Sequence, residues 1–143
     1  EPSEYRQNAA RRVGADIVVH PDDLLGTLKK EMPDGPDVVV EAVGPLLPQA
    51  IEMARAGGRV LQFGHDETVN PEIPVGDMLK KEVTIYSGFI GRYSFEKTAR
   101  IMESGKLPLE VIVSHRMPLS KVHEGIGLLR EGNGLKIVLE PGK

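Results

Sequence analysis

The sequence predicts an α/β fold in which helices wind around a parallel sheet, and three observations lead to that prediction. Segments with helical spacing alternate with short apolar segments along most of the chain. Glycines mark the tight connections between these segments. Residues 37–41 include a continuous apolar run, which is typical of a strand buried on both faces of a parallel sheet. The alternation favours right-handed crossover connections and therefore a doubly wound arrangement.

The predicted elements follow one another in a regular order. Ser3 suits the N-cap of a helix that runs to Val13, and Gly14 can end that helix in a left-handed conformation. Residues 16–19 are rich in β-branched side chains and predict a strand, which Pro21 ends. The alternation then continues with a helix at 22–32, a strand at 37–41, a helix at 45–55, a strand at 59–63, a short helix at 78–81 and a strand at 83–86.

The pattern changes after Gly91, where we place a boundary. The remaining residues predict a helix at 95–103, a strand at 111–113, a helix at 119–130 and a strand at 135–139. The chain shows no internal repeat and no low-complexity segment. The prediction is therefore one domain and part of another.

The composition excludes several classes of function. Of 143 residues, 40% are hydrophobic and 27% charged, as in ordinary globular proteins. The net charge of −3 gives no electrostatic reason to expect nucleic acid or an anionic membrane as a partner. There is no cysteine, which excludes disulfides and thiolate zinc sites within these residues. No apolar run approaches the roughly 20 residues that span a bilayer, so we expect a cytoplasmic protein.

Four motifs occur in an order that resembles the zinc-dependent medium-chain alcohol and polyol dehydrogenases. They are Glu1-Pro-Ser-Glu-Tyr-Arg6, Val13-Gly-Ala-Asp16, Val40-Glu-Ala-Val-Gly44 and Gly57-Gly-Arg-Val-Leu-Gln-Phe-Gly64. The closing segment of that family is similar to Gly105-Lys-Leu107, Ile112-Val-Ser-His-Arg116, Pro118-Leu119, His123-Glu-Gly125 and Gly134-Leu-Lys136. The resemblance covers essentially the whole chain, which makes it more specific than any single motif.

The resemblance implies a division into two parts. Residues 1–90 would form a partial NAD(P)-binding Rossmann domain whose sheet lacks its first strand, and residues 91–143 would return to the catalytic domain. The zinc ligands and the Gly-rich pyrophosphate turn would then precede Glu1. With strand order 3-2-1-4-5-6, an open slot would separate residues 16–19 from residues 37–41. Because unpaired backbone groups are costly, we expect these 143 residues alone to be unstable or prone to aggregation.

Two residues of the first motif are candidates for binding the adenosine ribose. In dinucleotide-binding folds an acidic side chain accepts hydrogen bonds from the ribose hydroxyls, and the resemblance assigns this role to Glu1. For charges about 4 Å apart, such a carboxylate would repel a 2′-phosphate by about 1 kcal/mol in water and about 4 kcal/mol at an effective dielectric constant of about 20. Arg6 stands where the family often has a cation, which would offset part of this repulsion. The expected cofactor is therefore NAD, with NADP as an alternative.

The carboxyl end of the strand at 37–41 carries a second group of candidates. Ligands bind beyond the carboxyl ends of strands in open parallel sheets. The resemblance places Val43 against the adenine, beside Gly44, which the turn into the next helix also needs for its geometry.

By the same resemblance, Lys136 matches a basic position that reaches the cofactor pyrophosphate. A solvated lysine on an edge strand is the alternative.

The next two strands supply the candidates for the nicotinamide. The family uses the turn at Phe63, Gly64 and His65, together with Ile85 and Tyr86, to hold the nicotinamide carboxamide mainly through backbone groups. Phe63 could instead pack in the core. His65 is a loop histidine, and such side chains are usually only solvated.

Other motifs give no catalytic residue in this chain. Gly125-Ile-Gly127 is the nearest match to a Gly-rich dinucleotide turn, but Arg130 stands in the third glycine position and the segment reads as a helix. His20, His115 and His123 do not form a metal-ligand pattern. In the family, chemistry depends on zinc as a Lewis acid and on nicotinamide as the hydride acceptor, so zinc is expected in the parent enzyme only.

The leading hypothesis is the C-terminal fragment of an alcohol or polyol dehydrogenase, inactive alone and part of a homodimer or homotetramer when complete. A zinc-free quinone or enone reductase of the same superfamily is the alternative among enzymes. A nucleotide-sensing module without catalysis, or an interaction domain that binds no nucleotide, are the alternatives from other classes. Cysteine and histidine ligands upstream of Glu1 would distinguish the zinc enzyme from the reductase and from the sensing module. Failure of NAD to raise the melting temperature of the complete protein would favour the interaction domain.

Overall fold

Helices alternate with short parallel strands in the computed structural model, which describes residues 1–142. The chain forms two compact units. The central unit is Leu25–Ser94, and the terminal unit consists of Glu1–Leu24 and the chain from Phe95 onward. The predicted α/β class is confirmed. The functional division into residues 1–90 and 91–143 stays a prediction.

The central unit contains a sheet of three parallel strands in the order β1-β2-β3. The strands are β1 (Val38–Glu41), β2 (Arg59–Gln62) and β3 (Thr84–Ser87). They follow α2 (Leu24–Glu31), which is preceded by a 3-10 turn at Pro21–Asp23, and they are connected by α3 (Leu47–Met53) and α4 (Val75–Lys81). The three strands predicted in this part of the chain are confirmed, with ends that differ by one residue or less.

The core of the central unit lies between one face of the sheet and helices α3 and α4. Ile51 of α3 and Val60 of β2 are fully buried. The other buried or partly buried members of this core are Val39, Leu47, Ala50, Ala54, Ile73, Met78, Val83 and Ile85. Side chains alternate along a strand, so the second face of the sheet carries Val38, Val40 and Tyr86, which are exposed.

The terminal unit contains a two-stranded parallel sheet, β4 (Val113–Pro118) with β5 (Lys136–Glu140). Its helices are α1 (Glu4–Arg12), α5 (Phe95–Glu103), the single turn α6 (Leu109–Ile112) and α7 (Val122–Arg130), the last preceded by a 3-10 turn at Leu119–Lys121. Helix α1 begins as predicted: the Ser3 hydroxyl accepts a hydrogen bond from the Arg6 N–H at 3.3 Å.

The predicted strand at residues 16–19 is wrong, since these residues form no ladder with any described strand. A strand needs hydrogen bonds from a neighbour, and other donors take that place here. The Val18 carbonyl accepts from Arg11 Nη2 at 3.1 Å, and the Val19 carbonyl accepts from the Glu1 backbone nitrogen at 3.1 Å. Residues 16–19 therefore lie outside both sheets, although their β-branched composition is typical of a strand.

The strand predicted at residues 111–113 is also wrong. Leu109–Ile112 forms the helical turn α6, and the strand begins at Val113 and runs to Pro118. A short apolar run suits a buried helical turn as well as a buried strand, and Val111 is buried in this turn. The pairing of β4 with β5 decides where the strand starts.

Within residues 1–142, no helix has the length and apolar character needed to cross a membrane.

Replacing Ile51 by alanine is expected to lower the free energy of unfolding by about 2–5 kcal/mol, because the deleted atoms leave a cavity in a closed core. Urea denaturation followed by circular dichroism measures this change. Leu79→Ala is the control, since its side chain on α4 is 67% exposed and should contribute less than about 0.5 kcal/mol. Equal losses in the two variants would contradict the position of the core.

Candidate functional site

The carboxyl ends of β1, β2 and β3 meet at one edge of the central sheet. Because the strands are parallel and in register, Glu41 lies opposite Gln62, and Gln62 lies opposite Ser87. Two turns leave the sheet there: the first edge turn, Val43 and Gly44, and the second edge turn, Phe63, Gly64 and His65. Most of the predicted nicotinamide and adenine contacts in the central unit therefore lie at the edge where open parallel sheets bind ligands.

The two edge turns are packed backbone against backbone. The N–H groups of Phe63 and Gly64 both donate to the Glu41 carbonyl, at 2.9 and 2.8 Å. A Cβ atom at position 64 would overlap the backbone nitrogens of Val43 and Gly44. Gly44 has φ +128°, and a Cβ there would lie 2.8 Å from Cβ of Asp66. Both positions thus require glycine, one for space and the other for space and conformation.

A buried carboxylate accepts hydrogen bonds from the backbone of the first edge turn. Glu41 is 4% exposed. Its Oε1 accepts hydrogen bonds from the N–H groups of Val43 and Gly44, both at 2.7 Å. Its Oε2 accepts from Gln62 Nε2 at 2.7 Å, and the same nitrogen donates to the carbonyls of Gly64 at 2.8 Å and Gly44 at 3.2 Å. One side-chain pair therefore connects both turns.

Sequence reasoning missed Glu41 and Gln62 as members of the site. Both residues stand within the motifs that carry the resemblance, but the sequence pattern predicts only strand positions for them. One signal was present: a charged residue directly after the apolar run Val38–Val40 is unusual in a buried strand and implies polar partners.

Two clefts flank the end of β2, one on each face of the sheet. The cleft on the Gln62 side has a volume of about 300 Å³ and is lined by Gly44, Leu47, Gln62, Gly64, His65, Asp66, Val69, Asn70, Pro71 and Ile73. The cleft on the other face has a volume of about 480 Å³ and is lined by Leu61, Phe63, Ser87, Gly88, Phe89, Gly91 and Arg92. The edge turns thus separate two spaces that a ligand could enter.

The side chains predicted around the nicotinamide do not all face the same way. Phe63 is about half exposed and shares a face of the sheet with Leu61, the register partner of Tyr86. Tyr86 is also about half exposed on that face. Ile85 points to the opposite face and packs against the core. Only backbone groups of Ile85 are therefore placed to serve a ligand on the face that carries Phe63.

The loop after the second edge turn is held by short-range polar contacts. His65 Nε2 lies 3.2 Å from Glu67 Oε1, and its ring packs edge-on against Phe89 with centroids 5.5 Å apart. Thr68 donates to Asp66 Oδ1 from its hydroxyl at 2.6 Å and from its N–H at 2.9 Å. Both hydrogen bonds lower the pKa of Asp66 below its ordinary value of 3.8, and the bond from the Thr68 hydroxyl has the larger effect.

The remaining candidates, Glu1, Arg6 and Lys136, lie in the terminal unit. Glu1 Oε1 accepts from the Ser3 N–H at 3.0 Å, which orients the carboxylate at the start of α1. Arg6 donates from Nε to the Gly134 carbonyl at 3.2 Å and from Nη2 to the Leu129 carbonyl at 3.0 Å. Lys136 is exposed at the start of β5, two residues after Gly134.

The structure therefore brings Arg6 close to the segment that contains Lys136. A guanidinium has five N–H donors, and the two bonds to carbonyls leave three for other acceptors. Arg6 can hold the turn after α7 and still present positive charge. The roles of these three residues toward a cofactor stay predictions.

Within residues 1–142, no three histidine, aspartate or glutamate side chains are grouped so that they could hold a metal ion. His20 caps the turn at Pro21–Asp23 by accepting from the Asp22 N–H at 3.3 Å. His115 Nδ1 lies 3.0 Å from the Ser114 hydroxyl oxygen. Gly125 and Gly127 lie inside α7, which confirms that they do not form a phosphate-binding turn after a strand.

A family model described as zinc-binding dehydrogenase matches residues 1–104 of the chain. Two relatives match nearly its whole length. Sorbitol dehydrogenase from Bombyx mori is 30% identical over 145 residues, which cover 95% of this chain and 41% of the relative. L-threonine 3-dehydrogenase from Pyrococcus furiosus is 33% identical over 152 residues, which cover 96% of this chain and 42% of the relative.

A solved structure has the same fold. The short chain alcohol dehydrogenase from E. coli CFT073, complexed with cofactor NADH, superimposes with a TM-score of 0.85 and 21% identity, covering 97% of this chain and 42% of that chain. The chain thus spans about two fifths of the length of the proteins it matches.

Replacing Gly64 by alanine is expected to lower the free energy of unfolding by about 1–3 kcal/mol or more, because the added methyl group overlaps backbone atoms that have no room to move. Gly76→Ala is the matched control, since a Cβ at this helical position meets nothing within 4 Å and should be neutral or stabilising by up to about 1 kcal/mol. Thermal and urea unfolding compare the two. A Gly64→Ala protein as stable as the control would contradict the close packing of the edge turns.

Proposed function

The chain belongs to the zinc-binding dehydrogenase family, as its motifs indicated, and on that premise we propose that it is the C-terminal, cofactor-binding part of an NAD(P)-dependent alcohol or polyol dehydrogenase. One observation carries the proposal. Two turns that the resemblance assigns to a dinucleotide are packed together at the carboxyl edge of a parallel sheet, with glycines where backbone must approach backbone.

The exposed groups of the edge turns suit the chemistry of a dinucleotide. Val43 projects an exposed side chain from the first turn, which suits an apolar contact with an adenine ring. The second turn presents Phe63 and backbone groups beside the larger cleft, which suits a flat ring that carries a carboxamide. The relative with the same fold from E. coli holds NADH. When bound, the nicotinamide would accept or donate the hydride.

Three residues of the terminal unit carry charges that suit other parts of a dinucleotide. Glu1 uses one carboxylate oxygen to accept from Ser3, and a carboxylate has further lone pairs for ribose hydroxyls. Arg6 and Lys136 would provide positive charge for phosphate oxygens. The proposed cofactor is NAD, because the carboxylate of Glu1 would repel a 2′-phosphate.

Zinc, the substrate pocket and the subunit contacts are proposed for the longer protein. The grouping of side chains in residues 1–142 offers no metal site, so we assign no step of metal chemistry to these residues. The relatives are named for sorbitol and L-threonine, both of which carry a secondary hydroxyl group. We propose a secondary alcohol or polyol as the substrate and a homodimer or homotetramer as the assembly.

The full-length protein is expected to bind NADH and to reduce NAD in the presence of sorbitol, another vicinal diol or L-threonine, and a chelator should abolish turnover but leave NADH binding. Calorimetric titration and the absorbance of reduced nicotinamide measure the two steps. Binding without turnover of any alcohol would favour a nucleotide sensor. Turnover that resists chelation would favour a zinc-free reductase, and absence of NADH binding would refute the proposal.

In the full-length protein, Glu1→Gln is expected to reduce the preference for NAD over NADP, as the ratio of their kcat/KM values, by about fivefold to several hundredfold, because the repulsion of a 2′-phosphate is lost. Glu4→Gln is the control: it removes the same charge at the first residue of α1, three positions further along the chain, and should leave the ratio within about twofold. An unchanged ratio in Glu1→Gln would show that this carboxylate does not face the ribose.

A further inference from the structure

The carboxylate of Glu41 has an unusual environment. It is almost fully buried, and burial of an ionised group is costly unless hydrogen bonds or an opposite charge compensate. Among the side chains of residues 1–142, no lysine, arginine or histidine forms an ion pair with it. Its compensation comes from three N–H donors alone: two backbone groups of the first edge turn and the Gln62 amide.

Gln62 connects the Glu41 carboxylate to the second edge turn through hydrogen bonds. Its Nε2 faces three acceptors, namely the Glu41 carboxylate and the carbonyls of Gly44 and Gly64. Its Oε1 is buried and has no donor among the described residues. The orientation of the amide therefore depends on what its nitrogen meets, and the negative charge of Glu41 is the strongest of these acceptors.

Glu41 contacts the first edge turn and Gln62, so it would act on a ligand through these groups. The network lies beneath the turns, while the side chains of Val43 and Phe63 extend outward from them and are more than half exposed. If the carboxylate were removed, the N–H groups of the first turn would lose their acceptor and the amide that joins the two turns could rotate. A ligand that bridges both turns would then meet a surface of changed shape.

From this arrangement, and resting on the function proposed above, we propose that Glu41 is a positioning residue for the cofactor. Its buried carboxylate, acting through Gln62, sets the spacing of the two edge turns and so sets the affinity for a dinucleotide that contacts both. The adenine and nicotinamide contacts are thereby coupled through the hydrogen bonds of this pair of side chains.

The decisive variant is Glu41→Gln in the full-length protein. The new carboxamide keeps the size of the side chain and an oxygen for the Val43 and Gly44 N–H groups, but its NH₂ faces the NH₂ of Gln62. Gln62 must then rotate and turn its oxygen toward the Gly44 and Gly64 carbonyls, where both atoms are acceptors. We expect the dissociation constant for NADH and the KM for NAD to rise about tenfold or more, while the KM for the alcohol stays within about twofold.

Two further variants make the test specific. Glu52→Gln is the matched control, because it is the same substitution at an exposed position of α3 in the same unit, and it should leave NADH affinity within about twofold. Gln62→Met keeps the length of the side chain and the cap on the first turn but removes the link to Gly64. It is expected to weaken NADH binding more than ADP-ribose binding, since ADP-ribose lacks the ring assigned to the second turn.

The outcomes separate this proposal from the proposed function. A wild-type protein that does not bind NADH refutes both. A wild-type protein that binds, with a folded Glu41→Gln variant of lower melting temperature and unchanged NADH affinity, refutes the positioning role and leaves the function intact. If Glu41→Gln does not fold, Gln62→Met decides: equal losses for NADH and ADP-ribose, or no loss, would overturn the proposal.

Discussion

The central unit depends on the close contact between the turns that follow β1 and β2. Parallel pairing brings both strands to the same edge, and the Glu41 carbonyl then accepts hydrogen bonds from Phe63 and Gly64. This geometry leaves no space for a side chain at position 64. Everything at the edge follows from it: the direction of Val43 and Phe63, the separation of the two clefts, and the burial of the Glu41 side chain beneath the turns.

The ion pairs and the hydrogen bonds of Glu41 lie in different electrostatic environments. Ion pairs such as Lys80 with Asp77 and Lys121 with Glu124 lie at exposed positions, where solvent screens them and each contributes little. Glu41 is shielded from solvent, so each of its hydrogen bonds is stronger and each loss is more costly. Buried hydrogen bonds of this kind fix the shape of the sheet edge better than exposed ion pairs do, because breaking any one of them is costly.

Arg6 has a structural role of its own, apart from the cofactor role proposed for it. Its bonds to the Leu129 and Gly134 carbonyls satisfy backbone acceptors at the end of α7 and in the turn that follows. The same contacts fix its position relative to the segment that leads to Lys136. A cation held in this way loses little conformational entropy when an anion binds to it.

Local patterns in the sequence determined the α/β class, the strands at 38–41, 59–62 and 84–87 within one residue, and the glycine turns at the end of the first two. They did so because apolar runs, N-caps and glycines act over a few residues. Tertiary structure decided the rest. Residues 16–19 lack a neighbouring strand and residues 109–112 close into a helical turn, although their composition suits strands. The partnership of Glu41 with Gln62 joins residues 21 positions apart, and only the parallel register brings their side chains together.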